Sequence, residues 1–205
     1  LEANGFAQFK IKENGPGNWL LNMTEEEISK PNFVLYTGTE SQEEKEIVRN
    51  VYNGDWKYVP TGLAKQLLQL SENNLYGEVI KVFMITASGA EGISLKNTRF
   101  VHIMEPYWHP VRMEQVIGRA TRICSHQGLP QEERTVDVFL YLMILSEQQK
   151  SSDESIELRL KDKSKIDNIT PFTSDQTLYE LATIKENITT QILKSVKETA
   201  FDCVL

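Results

Sequence analysis

No apolar run in this 205-residue chain approaches the roughly 18 residues that a membrane-spanning helix needs, so no segment is expected to cross a bilayer. The chain opens Leu-Glu-Ala-Asn-Gly-Phe, without a basic and then apolar leader, and the expectation is an intracellular protein. Cysteine is scarce. Cys124 and Cys203 lie far apart, which fits reduced thiols better than a disulfide framework, and the Asn-x-Thr triplets at Asn22, Asn168 and Asn187 then read as chance matches. There is no internal repeat and no low-complexity tract. No glycine is followed by lysine, so the Gly-Lys step of a phosphate-cradling loop is missing. The only Asp-Glu pair, Asp153-Glu154, sits in a polar stretch and not after an apolar strand, leaving no acid in the usual place for a nucleotide's magnesium. The chain by itself is expected not to hydrolyse a nucleotide.

What is present is ordinary globular material. Hydrophobic residues are 40% and charged residues 25% of the sequence, enough for one α/β domain with an appendage and too little for two full domains. A net charge of −7 argues against a surface that coats nucleic acid generally. The charge is unevenly placed. Residues 23–55 hold eight acids against three bases, whereas 96–126 hold Lys96, Arg99, Arg112, Arg119 and Arg122 against Glu105 and Glu114. A polyanion would meet the second segment.

The pattern along the chain predicts strands separated by helices. Asn32–Tyr36 is a short β-prone run, followed by Thr37-Gly38-Thr39 and a helix over 40–52 that Asn53-Gly54 stops. A second helix is expected over 61–71. Runs at 79–85, 100–104 and 136–142 read as buried parallel strands. A polar stretch over 146–172 reads as a linker, and Leu178, Leu181, Ile184, Ile188, Ile192 and Val196 space out one long amphipathic helix, broken once at most. The expected fold is a three-layer α/β domain with a parallel sheet over 1–145, a linker over 146–172 and a helix over 173–205.

Two constellations carry chemistry. Gln115, Arg119 and Arg122 fall within about 60° of one helix face, with Val116, Ala120 and Ile123 as an apolar stripe beside them. A planar guanidinium that never loses its charge matches phosphate oxygens two at a time. The second is the small-residue turn over 86–95, just past the carboxyl end of a strand, where open α/β sheets bind ligands. His102, Cys124 and His126 lack a second clustered pair of ligands, so no metal site is expected. Trp108 is expected to be a packing anchor ahead of the arginine-bearing helix.

These residues carry a resemblance. The 86–95 turn followed by Gln115 to Arg122 resembles motifs V and VI of the C-terminal RecA-like lobe of superfamily 2 helicases and translocases. Between them, Glu105-Pro106-Tyr107-Trp108-His109-Pro110 resembles the Asp-x-x-Trp-Asn-Pro signature of the Swi/Snf-type branch. The run from Gln115 to His126, with Leu129-Pro130 and Arg134-Thr135-Val136, is similar to large-DNA-virus helicase-like proteins related to the poxvirus nucleoside triphosphate phosphohydrolase I and early transcription factor ATPases.

The resemblance implies the second motor lobe of an ATP-dependent nucleic-acid translocase. It implies that Arg122 is the arginine finger, that Arg119 and Gln115 also face the γ-phosphate, and that Gly92 and Ser94 lie near the ribose and γ-phosphate. Many helicases have Asp where Ser94 stands. Thr86, Gly38 and Thr39 match positions on the nucleic-acid backbone, so binding would be indifferent to sequence. ATP and Mg would be held mainly by an N-terminal RecA-like lobe, the chief partner besides a nucleic acid, double-stranded DNA being favoured by the Trp-His-Pro signature. The lobe's first strand and most of its first helix look absent before Leu1. If viral, the protein would work in host cytoplasm, in virus factories or in the virion. An RNA helicase lobe and a binding module without motor function remain the alternatives.

Overall fold

The computed structural model describes residues 1–86, 92–146, 148–149 and 173–200. The glycine-rich part of the 86–95 turn and nearly all of the expected linker lie outside the described residues. The chain divides into two compact units. One comprises Leu1–Arg99 with Arg119–Val136, the other Phe100–Gly118 with Asp137–Leu205.

Unit 1 begins with β1 (Ala7–Gln8) and a hairpin of β2 (Ile11–Glu13) and β3 (Trp19–Leu21), paired antiparallel. The hairpin turns at Asn14–Asn18, where Asn14 N–H donates to Asn18 O over 2.7 Å and Gly15 and Gly17 take φ of 90° and 70°. A short helix α1 (Glu25–Ile28) follows, capped by Thr24 and Glu27 on each other's backbones.

β4 (Asn32–Tyr36) is the middle strand of a parallel sheet ordered β1-β4-β5, with α2 (Gln42–Tyr52) and α3 (Thr61–Leu70) in the crossover to β5 (Val82–Ile85). Ser41 caps α2 by accepting the Glu44 N–H at 3.1 Å, and two glutamates in its first turn suit the positive end of the helix. Asn53 ends α2 as expected, and Gly54 turns the chain at φ 71°. Ile47, Val48 and Val51 of α2, Leu63 and Leu67 of α3, Val34 and Tyr36 of β4, and Trp19 of the hairpin form one core. Burying each such aliphatic side chain contributes about 1.5–3 kcal/mol. Gln66 of α3 accepts the Leu21 N–H at 2.9 Å and so satisfies a donor on the edge of β3.

Unit 2 pairs β6 (Phe100–Ile103) with β7 (Asp137–Leu140) in parallel, and carries most of α4 (Pro110–Ala120) and all of α5 (Ser174–Thr199). The parallel β-strands and flanking helices establish an α/β RecA-like lobe with a C-terminal helix. Two expectations are corrected. β6 and β7 are not buried strands: Phe100, Val138 and Phe139 are each more than two-fifths exposed, and the Phe139 ring stacks on that of His102 with centroids 5.0 Å apart. Trp108 is 46% exposed, its ring lying under the Lys185 ammonium of α5 at 3.7 Å, so a cation and not a core receives it. The hairpin β2–β3 was not expected, because the strands are only three residues long and lie too close to the turn for an alternation to show.

Candidate functional site

β4 and β5 are in parallel register, Tyr36 beside Ile85, so their carboxyl ends deliver the 37–39 turn and Thr86 side by side. Thr86 N–H donates to Tyr36 O at 3.3 Å. Sheet register alone therefore brings Gly38, Thr39 and Thr86 to one edge. In the turn, Glu40 gathers the donors: Thr37 N–H at 2.8 Å, Thr37 Oγ1 at 2.8 Å and Thr39 Oγ1 at 3.0 Å. Desolvation works to raise the Glu40 pKa, but these hydrogen bonds outweigh it and hold the carboxyl below its ordinary value. Sequence reading missed Glu40. A Thr-x-Thr-Glu run is a recognisable local signal, since short hydroxyl side chains readily close such turns.

The second part of the site is the segment 92–98. Gly92 takes φ 74°, and Asn97, further along the segment, takes φ 55°. Ile93 and Leu95 are buried in the core and point one way, which turns Ser94 the other. The Ser94 hydroxyl accepts a hydrogen bond from Arg122 Nη1. This contact joins the two constellations that the sequence separates by 28 positions.

Arg122 reaches Ser94 from irregular backbone. α4 ends at Ala120, so the expectation of Gln115, Arg119 and Arg122 on one helix face is corrected for Arg122. The last carbonyls of the helix are capped by donors from outside it. Leu95 N–H donates to Arg119 O at 3.1 Å, and Ser125 Oγ donates to Ala120 O at 3.0 Å. Cys124 then takes φ 64°, a left-handed conformation rarely adopted outside glycine. Ala120 is buried as the apolar stripe requires, but Ile123 is 96% exposed and belongs to no stripe.

Arg119 lies half-buried near Leu95, and its Nε is a buried N–H without a hydrogen-bond partner among the described residues. Gln115 lies one turn earlier on α4, exposed, in the part of that helix assigned to unit 2. Gly92 has open space around the position of a Cβ. The set gathered in unit 1, two guanidiniums with a hydroxyl between a glycine turn and a helix end, consists of donors suited to phosphate oxygens. Among the described residues no group of three or more His, Cys, Asp or Glu side chains is placed to hold a metal ion, and no helix is long and apolar enough to cross a membrane.

The parallel sheet with its flanking helices makes this an α/β lobe with loops gathered at the carboxyl ends of its strands. Residues 18–124 match the helicase conserved C-terminal domain, and the chain belongs to that family. Over 134 residues, 65% of the chain, it is 39% identical to a protein of Acanthamoeba polyphaga mimivirus named "Putative ATP-dependent RNA helicase R350", covering 15% of that protein. It is 35% identical over 147 residues, 66% of the chain, to the "Termination factor NPH-I homolog" of African swine fever virus, covering 18% of it. A further mimivirus protein whose name differs only in its last term, R563, is 31% identical over 75% of the chain, and 22% of it is covered. The chain thus spans less than a quarter of the length of these relatives.

Proposed function

We propose that this lobe is the second half of an ATP-driven nucleic-acid motor, in which Arg122 acts as an arginine finger on the γ-phosphate of an ATP held, with its Mg²⁺, by an N-terminal RecA-like lobe. The observation that carries the reading is the Arg122–Ser94 hydrogen bond, which ties the arginine to the loop past β5. Arg119, with an uncommitted Nε, is the second phosphate-facing guanidinium, and Gln115 and Gly92 complete the nucleotide side. Gly38, Thr39 and Thr86 form the track for nucleic-acid phosphates. Phosphoryl transfer is catalysed mainly by positioning and charge, and an arginine finger accelerates it roughly 10³- to 10⁵-fold. In the complete polypeptide, Arg122→Ala should lower kcat by about 10³-fold with ATP affinity changed by no more than a few-fold. Loss of ATP binding at an unchanged rate would contradict the assignment.

The track is read as double-stranded DNA from the Trp108-His109-Pro110 signature. The printed names of two relatives favour RNA as the second reading. Titrating the complete protein's ATPase with duplex DNA and with RNA decides between them. Thr86→Val, which removes a hydroxyl at constant volume, should weaken stimulation by the true substrate more than it weakens the basal rate.

A further inference from the structure

The segment 94–96 is held along both edges like a strand, yet it belongs to no sheet, and the chain bends after it at Asn97, which takes φ 55°. Along one edge, Leu95 N–H donates to Arg119 O at 3.1 Å and Asn97 N–H to Ser125 O at 2.9 Å. Along the other edge the partner is a side chain. Asn53 Nδ2 donates to Ser94 O at 3.1 Å, and Asn53 Oδ1 accepts the Lys96 N–H at 2.8 Å. One amide group therefore satisfies the backbone on both sides of Leu95, as a neighbouring strand would. The end of α2 adds two more ties: Lys96 Nζ meets Asp55 at 2.7 Å, and Tyr52 OH meets Thr98 Oγ1 at 3.0 Å.

The consequence falls on Ser94. Its hydroxyl is the hydrogen-bond partner of the Arg122 guanidinium, and Arg122 stands on irregular backbone beside the fully exposed Ile123, outside the helix that would otherwise fix its direction. The direction of the guanidinium is thus set by where Ser94 stands. Ser94 in turn is fixed by the buried Ile93 and Leu95 and by the clamp on its carbonyl.

We propose that Asn53 is a positioning residue for Arg122, acting through the Ser94 backbone. The inference rests on the reading of Arg122 as the arginine that faces the γ-phosphate. Asn53 touches no phosphate. It holds the loop that holds the arginine, and an error of about 1 Å in a catalytic group can cost on the order of 10²-fold in rate.

The discriminating variant is Asn53→Asp in the complete polypeptide. An aspartate keeps the size and the acceptor for Lys96 N–H, but sets an oxygen against the Ser94 carbonyl where a donor stood. The expected result is a kcat lower by about tenfold or more, with KM for ATP and the half-stimulating nucleic-acid concentration within about twofold. Asn53→Ala, which leaves both backbone groups to water, should act in the same direction. The same assay carries Arg122→Ala and the double variant Asn53→Asp/Arg122→Ala. With the arginine gone there is nothing left to position, so the double variant should be no slower than Arg122→Ala alone within about twofold. General destabilisation would slow both backgrounds alike. A wild-type kcat in both Asn53 variants, or a double variant slowed by the product of the two single effects, overturns the inference. If Arg122→Ala itself turns over at the wild-type rate, it is the reading of the site that fails.

Discussion

β4 and β7 are similar as sequences, Asn-Phe-Val-Leu-Tyr against Asp-Val-Phe-Leu, and both pair in parallel, yet their surroundings differ completely. β4 is buried at four of its five positions, between β1 and β5 and among the side chains of α2 and α3. β7 has one partner strand and stays exposed at Asp137, Val138 and Phe139. Every member of the main hydrophobic core lies in unit 1. Among the described residues of unit 2 the ties are of another kind. The His102 ring stacks on Phe139 with centroids 5.0 Å apart and meets Tyr141 OH at 2.9 Å. Thr173, fully buried, donates to Met143 O, and Asp175 accepts the Met143 N–H at 2.8 Å. An apolar strand thus supplies the material of a core, and the layers laid against it decide whether a core forms.

The difference can be broken first where it is greatest. Leu67→Ala in unit 1, at a position with no exposure, should destabilise that unit by about 2–5 kcal/mol, while Val138→Ala in unit 2 should cost under about 1 kcal/mol. Amide hydrogen exchange reads the two units separately, and equal losses would show that β7 is as deeply packed as the core of unit 1.

A smaller effect tests whether unit 2 leans on its polar ties. Thr173→Ala removes the cap of α5 and the bond to Met143, and should cost about 0.5–2 kcal/mol, seen as faster exchange in the first turn of the helix. An unchanged first turn would mean that the buried hydroxyl is incidental.

The smallest effect belongs to the 37–39 turn of unit 1. The Glu40 pKa is lowered in the folded state, so its contribution is present above the ordinary value of 4.5 and is lost as pH falls through the folded value below it. Protection of the Thr37 amide, which donates to Glu40, taken as its exchange rate relative to an unstructured amide at the same pH, should therefore hold steady down to about pH 4.5 and fall only below it. Loss of protection well above that pH would show that Glu40 does not close the turn.

The sequence was most legible where the chain is locally regular. Asn32–Tyr36 could be read as a short run of β-prone residues, and the helix over 61–71 and the long C-terminal helix from apolar residues that recur at helical spacing. It was least legible at the end of α4. The pattern from Gln115 to Arg122 continues at helical spacing, but α4 ends at Ala120, where Ser125 caps the Ala120 carbonyl and Leu95, far from the arginine in sequence, caps that of Arg119. Asn53 shows the same limit. As half of an Asn-Gly pair it reads correctly as a helix stop, while its grip on Ser94 and Lys96 spans more than 40 positions and leaves no local signal.

The sequence by itself determined the kinds of chemistry available: guanidiniums, hydroxyls and glycine turns in the order of a helicase lobe, because residue type and order are covalent facts. The meeting of these groups was decided by tertiary structure. Parallel register set Thr86 beside the 37–39 turn, and burial of Ile93 and Leu95 turned Ser94 outward. Hydrogen bonds from the Leu95 N–H and the Ser125 hydroxyl tie down the last carbonyls of α4 before Arg122, and contacts of this kind are set by packing between segments and not by helical spacing in the sequence.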